Sequence, residues 1–423
     1  MTTPAPRLGA DVLDELDRRL APADAELAAR YPGDPGTRQP VHTVYVPADQ
    51  LTPGLTADWG GRALAALADH APTAAALAVA TGLEETLVAQ VLPGVLAKLE
   101  AEPVEDLRLD FEDGYGPRPG EREDADAAAA ALTLAGGLAG AAPPPCSGLR
   151  IRSLEAATRR RGLRTLDLFL GALLDGTELP AGFVVTLPKV TDVRQVEAWP
   201  WSASGSRRPT GWPRGGGGSR SRSRPRSRSW PPTGRPPWPG WSRRPAAAAR
   251  ACTTAPTTTA PPSASPPPTR AWSTRRPTTP RRSCRWRRPG PACGCRTGRP
   301  TCSPVGGTEA VHAALWLHAR LVRRSLERGY WQGWDLHPAQ LPTRYLATYA
   351  FFREGLPAAA ARLRAYAERT AGGVLDEPAT AQALAGFLAR GLDCGALTEA
   401  EVTGHTGLDR AAVDQFARRS GRD

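Results

Sequence analysis

The chain has 423 residues, a formal net charge of +12 and an isoelectric point near 10. That length allows one large domain or two to three ordinary ones. No run of about eighteen apolar residues occurs, which argues against a membrane-spanning helix.

The first predicted element is an N-terminal helix. The opening residues, MTTPAPRLGADVLDELDRRL, lack the apolar core of a signal peptide and have the pattern of an acidic amphipathic helix. We therefore expect a cytoplasmic protein that does not enter a membrane.

Five short predicted strands alternate with helices on either side of an unusual central block. The strands are VHTVYVPA (41–48), DLRLDFEDGYG (106–116), GLRIRS (148–153), GFVVTLPKV (182–190) and GWDLHPAQ (333–340). Ala- and Leu-rich helical patterns accompany them, at 60–82, 163–176 and 308–329. This alternation predicts βαβ units and a parallel sheet.

Polar residues cluster where these strands end. They are Glu112, Asp113, Arg150, Arg152, Lys189, Asp335 and His337. Because barrel enzymes place their sites at the carboxyl ends of the strands, the pattern predicts an α/β protein with a (β/α)8 TIM barrel and a C-terminal helical extension. Strands 1 to 4 of the barrel are assigned to residues 1–198, its last part to 304–355, and the helical region to 356–423.

The central block, residues 199–303, differs sharply in composition. It contains 22 Arg and no Lys, Asp or Glu, whereas the rest of the chain has 32 basic and 42 acidic side chains. It also lacks Leu, Ile, Val and Phe, so it cannot bury enough apolar surface to offset its conformational entropy. We expect this block to be disordered as written. The barrel is then incomplete, because three βα units of roughly 30 residues each would fill the gap.

The C-terminal residues predict helices only. Residues 340–369 have apolar side chains at helical spacing, and Thr398 before Glu399 and Glu401 is a plausible helix start. The segment LTEAEVTGHTGLDRAAVDQFARR also weakly resembles a DNA-binding helix-turn-helix. A packing or lid helix is the simpler interpretation, since the regions outside the central block are net acidic.

Four motifs occur in the order LRLDFEDGYG, GLRIRSLE, VTLPKV and GWDLHPAQ. Together they resemble the citrate-lyase β-subunit / HpcH–HpaI aldolase family, over roughly residues 41–198 and 304–355. The resemblance implies a TIM barrel that holds Mg²⁺ and makes or breaks carbon–carbon bonds next to a carbonyl through an enolate. It also implies oxo acids or acyl-CoA thioesters as substrates, and we expect the intact parent protein to be a homo-oligomer.

The resemblance implies catalytic roles for three residues. Glu112 and Asp113 match the family's acidic pair near the metal, and Arg150 matches the arginine that holds the substrate carboxylate or carbonyl. The chemistry is consistent, because a guanidinium binds a carboxylate as a fork and adjacent carboxylates can hold metal-bound water or accept a proton. Ordinary alternatives are a turn or helix cap for the acidic pair and a salt bridge for Arg150.

Four further residues are candidates for substrate binding. They are Arg152 and Lys189 at strand ends, and His337 and Gln340, which match the family's late turn. A structural ion pair is the alternative for Lys189, and a capped turn is the alternative for His337 before Pro338.

The metal ligands that the resemblance implies are missing. The family holds Mg²⁺ with a Glu after the fifth strand and an Asp after the sixth. Both positions fall in the block 199–303, which has no acidic residue. We therefore expect this chain to contain no metal ligand, although Mg²⁺ is the cofactor that the resemblance implies.

Our hypothesis is that the block results from a compensated double frameshift. With permitted synonymous codons, moving the frame one base back turns SRSRSRPRSRSW (219–230) into an apolar residue followed by EVQVETPQSVL. The same shift permits LHYGTYDYSA for residues 251–260, and a helix, a Gly turn and a strand for 276–302. One shift thus supplies strands and the missing Glu and Asp. The nucleotide sequence tests this hypothesis, since stop codons in the shifted frame would exclude it.

Two functions remain open from the sequence. The first is a magnesium-dependent carbon–carbon lyase or aldolase, which would be inactive in the chain as printed. The second is an Arg-rich nucleic-acid-binding protein, in which a genuine 199–303 insert contacts phosphates and stacks its Trp on bases. The total lack of Lys, Asp, Glu, Gln and Asn in the block favours the off-frame interpretation over a selected insert.

Overall fold

The computed structural model describes residues 9–30, 36–140, 143–175, 178–180, 182–204, 250–253, 304–368 and 378–418. Most of the block 199–303 therefore lies outside the described residues. We expect this block to be disordered as written, and the shifted frame predicts strands and a helix within it. These expectations can be compared with the structure only at residues 199–204 and 250–253.

One parallel sheet of six strands organises the described chain. The strands are β1 His42–Pro47, β2 Asp106–Asp110, β3 Cys146–Arg150, β4 Phe183–Leu187, β5 Arg250–Thr253 and β6 Gly333–Asp335. Their order is β5-β4-β3-β2-β1-β6, and every neighbouring pair is parallel. The α/β class and all five strands predicted from the sequence are confirmed. β6, from the C-terminal part of the chain, lies beside β1.

Twelve α-helices surround this sheet in the described residues. They are α1 Ala10–Arg30, α2 Leu55–His70, α3 Ala74–Thr81, α4 Glu85–Ala101, α5 Gly120–Leu138, α6 Arg159–Leu174, α7 Val193–Ser204, α8 Thr308–Leu326, α9 Leu341–Ala367, α10 Pro378–Asp393, α11 Glu399–Thr406 and α12 Arg410–Arg418. Two short 3-10 helices follow strands, at Ala48–Gln50 and Pro338–Gln340. Helices follow β1, β2, β3, β4 and β6, as the predicted βαβ pattern requires.

The two faces of the sheet differ in polarity. Because successive strand side chains point to opposite faces, β2 places Leu107 and Leu109 on one face and Asp106, Arg108 and Asp110 on the other. The two leucines are buried in the main hydrophobic core. The opposite face, which we call the polar face, has charged side chains that are equally buried. Function is therefore expected on the polar face rather than in the apolar core.

A second buried polar cluster joins the last strand to the first. Asp335 lies 3.0 Å from both His42 Nδ1 and His318 Nε2, and Arg344 donates to both of its oxygens at 2.9 Å. All four side chains are buried. Burial raises the pKa of Asp335, but Arg344 and the two histidines outweigh it and hold that pKa well below its usual range. We call this group, which links β1, β6, α8 and α9, the Asp335 cluster.

One predicted helix forms two helices in the structure, and one predicted division lies within a helix. The helical pattern at 60–82 forms two helices rather than one, since the chain breaks at Pro72 and Thr73 begins α3 by accepting a hydrogen bond from Ala76 N. The predicted division between residues 355 and 356 falls inside α9. That helix packs against α4, α8 and α10, so the C-terminal helices continue the same core.

The expectation of disorder does not extend to every residue of the central block. Helix α7 continues from Val193 to Ser204, and Arg250–Thr253 pairs with β4. Backbone hydrogen bonds can form with any residue except proline, and each element has residues that can make them, although α7 also contains Pro200. Composition alone could not exclude them.

The predicted helix start at Thr398 is confirmed. Its hydroxyl accepts a hydrogen bond from Glu401 N, and the Glu401 side chain accepts one from Thr398 N, which forms a capping box. The buried side chains of Val402 on α11 and Val413 on α12 join the main core. These helices therefore serve as packing helices, while DNA binding by this pair stays an untested alternative.

Among the described residues, no single helix has the length and apolar character needed to cross a membrane. The helices α2 and α3 meet those criteria only when they are taken together, across a bend of 92°.

Candidate functional site

An arginine held by a buried aspartate forms the centre of the candidate site. Arg150, at the end of β3, donates from Nε to Asp110 Oδ1 at 2.7 Å and from Nη2 to Asp110 Oδ2 at 2.5 Å. Asp110, at the end of β2, also accepts the backbone N–H groups of Glu112 and Gly114 at 3.0 and 2.8 Å. This fork fixes the guanidinium plane and leaves Nη1 outside the fork, where Asp113 Oδ2 lies 3.9 Å away.

The predicted acidic pair meets a lysine beside this arginine. Lys189 Nζ lies 2.9 Å from Glu112 Oε1 and 2.8 Å from Asp113 Oδ1. Lys189 has a φ of +48°, which makes it the non-glycine residue in the left-handed region within the described chain. Such strained backbone conformations concentrate at functional sites, because surrounding contacts must hold them in place. Here the turn after β4 is held so that the ammonium reaches both carboxylates.

Two aromatic rings form a wall of the site. The Arg150 guanidinium lies 4.8 Å from the centroid of the Tyr45 ring on β1. Tyr45 in turn contacts Trp334 on β6 edge to face, with 5.2 Å between ring centroids. Tyr45 therefore adds a cation–π contact to the hydrogen bonds by which Asp110 holds Arg150.

Burial and charge set the protonation of the site. Burial raises the pKa of Glu112 above its usual value, although Lys189 and Arg150 act in the opposite direction. The Asp113 and Glu112 carboxylates raise the pKa of Lys189. Burial disfavours the charge on Arg150, but Asp110 outweighs that effect and raises its pKa. Glu112 Oε2 is buried without a hydrogen-bond partner, and Arg150 Nε lies 3.8 Å from it.

We expect Glu112→Gln to stabilise the chain at neutral pH. A raised pKa means that the folded state holds the proton more tightly than the unfolded chain, so wild type loses stability as pH rises above about 4.5. Glutamine cannot ionise, so the variant should melt at a higher temperature than wild type at pH 7 and show no gain near pH 4. Thermal melts across this pH range measure the difference.

The matched control is Asp113→Asn. Asp113 contacts the same Lys189 but its side chain is 53% exposed. Asp113→Asn should therefore show no comparable gain in melting temperature at pH 7. Parallel pH profiles for wild type and Glu112→Gln would contradict the prediction.

Arg152 pairs with a different carboxylate from the one that holds Arg150. Its guanidinium donates to Glu123 Oε2 from Nε at 3.0 Å and from Nη2 at 2.7 Å, and to the Gly116 carbonyl at 2.9 Å. Glu123 is fully buried and also accepts the Thr165 hydroxyl at 2.6 Å. The structure thus assigns the fork of Arg152 to an ion pair between β3 and α5, and its predicted substrate-binding role stays untested.

His337 and Gln340 form the capped turn that follows β6. His337 Nδ1 accepts a hydrogen bond from Ala339 N at 3.2 Å, and Gln340 Oε1 accepts those of Leu336 N at 2.7 Å and His337 N at 3.2 Å. Burial, followed by the charge of Arg62, lowers the pKa of His337. The late turn therefore has a structural role, and its predicted contact with substrate stays untested.

The described residues do not fit a magnesium site by themselves. Mg²⁺ needs several oxygen ligands near 2.1 Å, and its protein ligands are typically carboxylates. Glu112 and Asp113 are the adjacent carboxylates here, but the Lys189 ammonium lies against both of them. The described part of the chain contains no group of three His, Cys, Asp or Glu side chains that could hold a metal. A cation at this place would have to displace Lys189.

Sequence reasoning missed the polar ladder below the site. Arg108 donates to Asp106 Oδ1 at 2.6 Å and to Thr186 Oγ1 at 3.0 Å, while Thr43 donates to Asp106 Oδ2 at 2.7 Å. Asp110 was missed as well. The signal was present in the alternation of DLRLD, in which every second residue is charged, because a strand with that pattern must have one charged face.

The comparisons with known proteins give one family. A family profile described as "Domain of unknown function (DUF6986)" matches residues 20–206 and 295–421. The interval between the two matched segments, 207–294, lies inside the compositionally distinct block. No curated protein and no solved structure matches the chain. Because the profile covers well over half of the 423 residues, the chain belongs to the DUF6986 family.

Proposed function

We propose that the polar face carries the site of a carbon–carbon lyase or aldolase, which acts on an oxo acid or an acyl-CoA thioester through an enolate. The observation that carries this proposal is the clamped guanidinium of Arg150, with Lys189 beside it and Glu112 within 4 Å. Two fixed cations and a carboxylate with a raised pKa are the groups that this chemistry needs.

The proposed chemistry moves one proton and one electron pair. In cleavage, a base removes the proton of a hydroxyl, the carbon–carbon bond breaks, and its electrons collect on the carbonyl oxygen as an enolate. Glu112 is suited to exchange the proton, since its Oε2 has no hydrogen-bond partner. The Nη1 edge of Arg150 and the Lys189 ammonium are suited to bind a carboxylate and the developing oxyanion.

The strand order supports a (β/α)8 barrel for the intact protein. The strands are parallel and lie side by side in chain order, and the last strand lies beside the first. A closed barrel requires this arrangement. Two more strands would complete the eight, and the block 199–303 is where they would come from. This barrel remains part of the proposal.

The family match supports the frameshift hypothesis. The profile stops at residue 206 and resumes at 295, and the block that it skips contains no acidic residue. An off-frame segment would produce both observations. We therefore propose that a frame-restored chain binds Mg²⁺ with the restored Glu and Asp, and that the chain as printed lacks that activity.

Frame restoration tests the function directly. A gene that encodes the shifted frame between codons 199 and 303 should give a protein that cleaves or forms a substrate from a panel of 2-oxo acids, aldehydes and thioesters. Its activity should depend on added Mg²⁺ and disappear with a chelator. The printed chain, assayed in parallel, should show less than about 1% of that rate, because loss of electrostatic stabilisation costs at least about 100-fold. Equal rates in both chains would contradict the frameshift, and no turnover in either would contradict the lyase.

Nucleic-acid binding by the block is the alternative function. Its residues lie outside the described chain apart from 199–204 and 250–253, and no observation on the described residues favours it. The cytoplasmic location and the homo-oligomeric state also remain predictions.

A further inference from the structure

Helix α1 presents an apolar stripe to solvent. Its described side chains are all exposed except that of Glu15, which is half-buried. Leu13, Leu16, Leu20 and Leu27 are each about half exposed, at 50, 52, 48 and 52%. Leucines are rarely left exposed in a row along one helix, because each loses free energy in contact with water. The stripe therefore needs a partner.

The spacing of the stripe matches a two-stranded coiled coil. Leu13, Leu16, Leu20, Ala23 and Leu27 follow one another at intervals of three and four residues, which are the a and d positions of a heptad repeat. This spacing keeps one narrow seam along the helix rather than the broader stripe of a helix that packs on a globular core.

The charged residues beside the seam favour pairing with α1 of a second copy of this chain, with the two helices parallel. Arg19 precedes Leu20 at a g position and Asp24 follows Ala23 at an e position. In a parallel pair, the g position of one helix lies opposite the e position five residues further along the other helix. Arg19 therefore lies opposite Asp24 of the partner subunit, and the two-fold symmetry forms this pair twice. An antiparallel pair would place e against e, and both e positions, at Asp17 and Asp24, are acidic.

We propose that α1 is a dimerisation helix, which forms a parallel two-stranded coiled coil with α1 of a second copy of this chain. Pro22 occupies a c position on the outer face, so its ring stays out of the seam, while it removes one backbone hydrogen bond of α1. In the single chain, Arg19 donates to Glu15 at 2.6 Å on the exposed surface, and such pairs are weak enough to exchange for a pair across the dimer. The seam from Leu13 to Leu27 spans only about two heptads, so the dimer should be weak and dissociate at about micromolar concentration.

Sedimentation equilibrium of the full-length chain tests this proposal. Wild type should be a dimer, and Leu16→Glu and Leu20→Glu should each be monomers. The matched control is Leu132→Glu on α5, an equally apolar residue that is 63% exposed, which should leave the dimer intact. Urea melts of all four proteins, run well below the dimer dissociation constant so that each is a monomer, should have the same midpoint, which would show that the fold survives.

A charge swap tests the register. Arg19→Glu and Asp24→Arg should each raise the dimer dissociation constant about 5- to 10-fold, since two symmetric pairs are lost, and the double variant should restore it. A monomeric wild type, a dimer that persists in Leu16→Glu, or a double variant no better than the singles would overturn the proposal. A monomer in which α1 is protected from proteolysis would show that the helix folds back on its own chain.

Discussion

Asp335→Asn is expected to lower the free energy of unfolding by about 3–5 kcal/mol. Asp335 is fully buried and accepts both Nε and Nη2 of Arg344, which is itself almost fully buried. Removing the carboxylate charge leaves the Arg344 guanidinium in the core with no opposite charge to balance it. His42 and His318 lose their charged partner as well. Urea unfolding of the purified chain measures the loss.

Two controls separate a buried charge from an ordinary ion pair. Asp58→Asn removes a carboxylate that pairs with Arg62 on the exposed surface of α2, and should cost less than about 0.5 kcal/mol. The double variant Asp335→Asn/Arg344→Met should recover much of the lost stability, because it removes the unpaired charge and fills the same space. A double variant that is less stable than Asp335→Asn would contradict this account.

Arg150→Met is expected to reduce kcat/KM of the frame-restored enzyme at least about 100-fold and to destabilise the fold. The guanidinium is both the proposed binding group and the partner of buried Asp110. Arg150→Lys should restore little activity, because an ammonium cannot make the two parallel bonds that orient the side chain. Steady-state kinetics and urea melts measure the two effects separately.

Arg152→Met is the matched control for this position. Its side chain also belongs to β3's carboxyl end and also pairs with a buried carboxylate, that of Glu123. Arg152→Met should lose stability, because Arg152 pairs with buried Glu123. It should keep kcat and KM within about threefold of the values for the frame-restored enzyme, which corresponds to less than about 1 kcal/mol. A raised KM in Arg152→Met would instead support its predicted contact with substrate.

The regular elements were predictable because their signals are local. Each of the five predicted strands has a short run of apolar or alternating residues, and the structure pairs all five in one parallel sheet. Thr398 was identified as a helix start because the capping box needs only residues three apart. The printed residues Arg250–Thr253 have no strand pattern, so they did not predict β5, and only the shifted-frame hypothesis placed a strand there, at 251–260.

The geometry of the site depended on contacts between distant residues. The sequence pointed to Glu112, Asp113, Arg150 and Lys189 as strand-end groups, and the structure brings all four together. It could not show that Arg152, two residues from Arg150, turns to a different acid. That choice depends on Glu123, which lies 29 residues away along the chain and on another element.

The pairing of β1 with β6 has a consequence for synthesis on the ribosome. His42 lies opposite Gly333, so the first strand leaves the exit tunnel long before its neighbour has been translated. Contacts this distant in sequence slow folding, and the nascent N-terminal part must wait with one strand edge unpaired. A chain that terminated anywhere before β6 would keep that edge of β1 open and exposed to pairing with other chains.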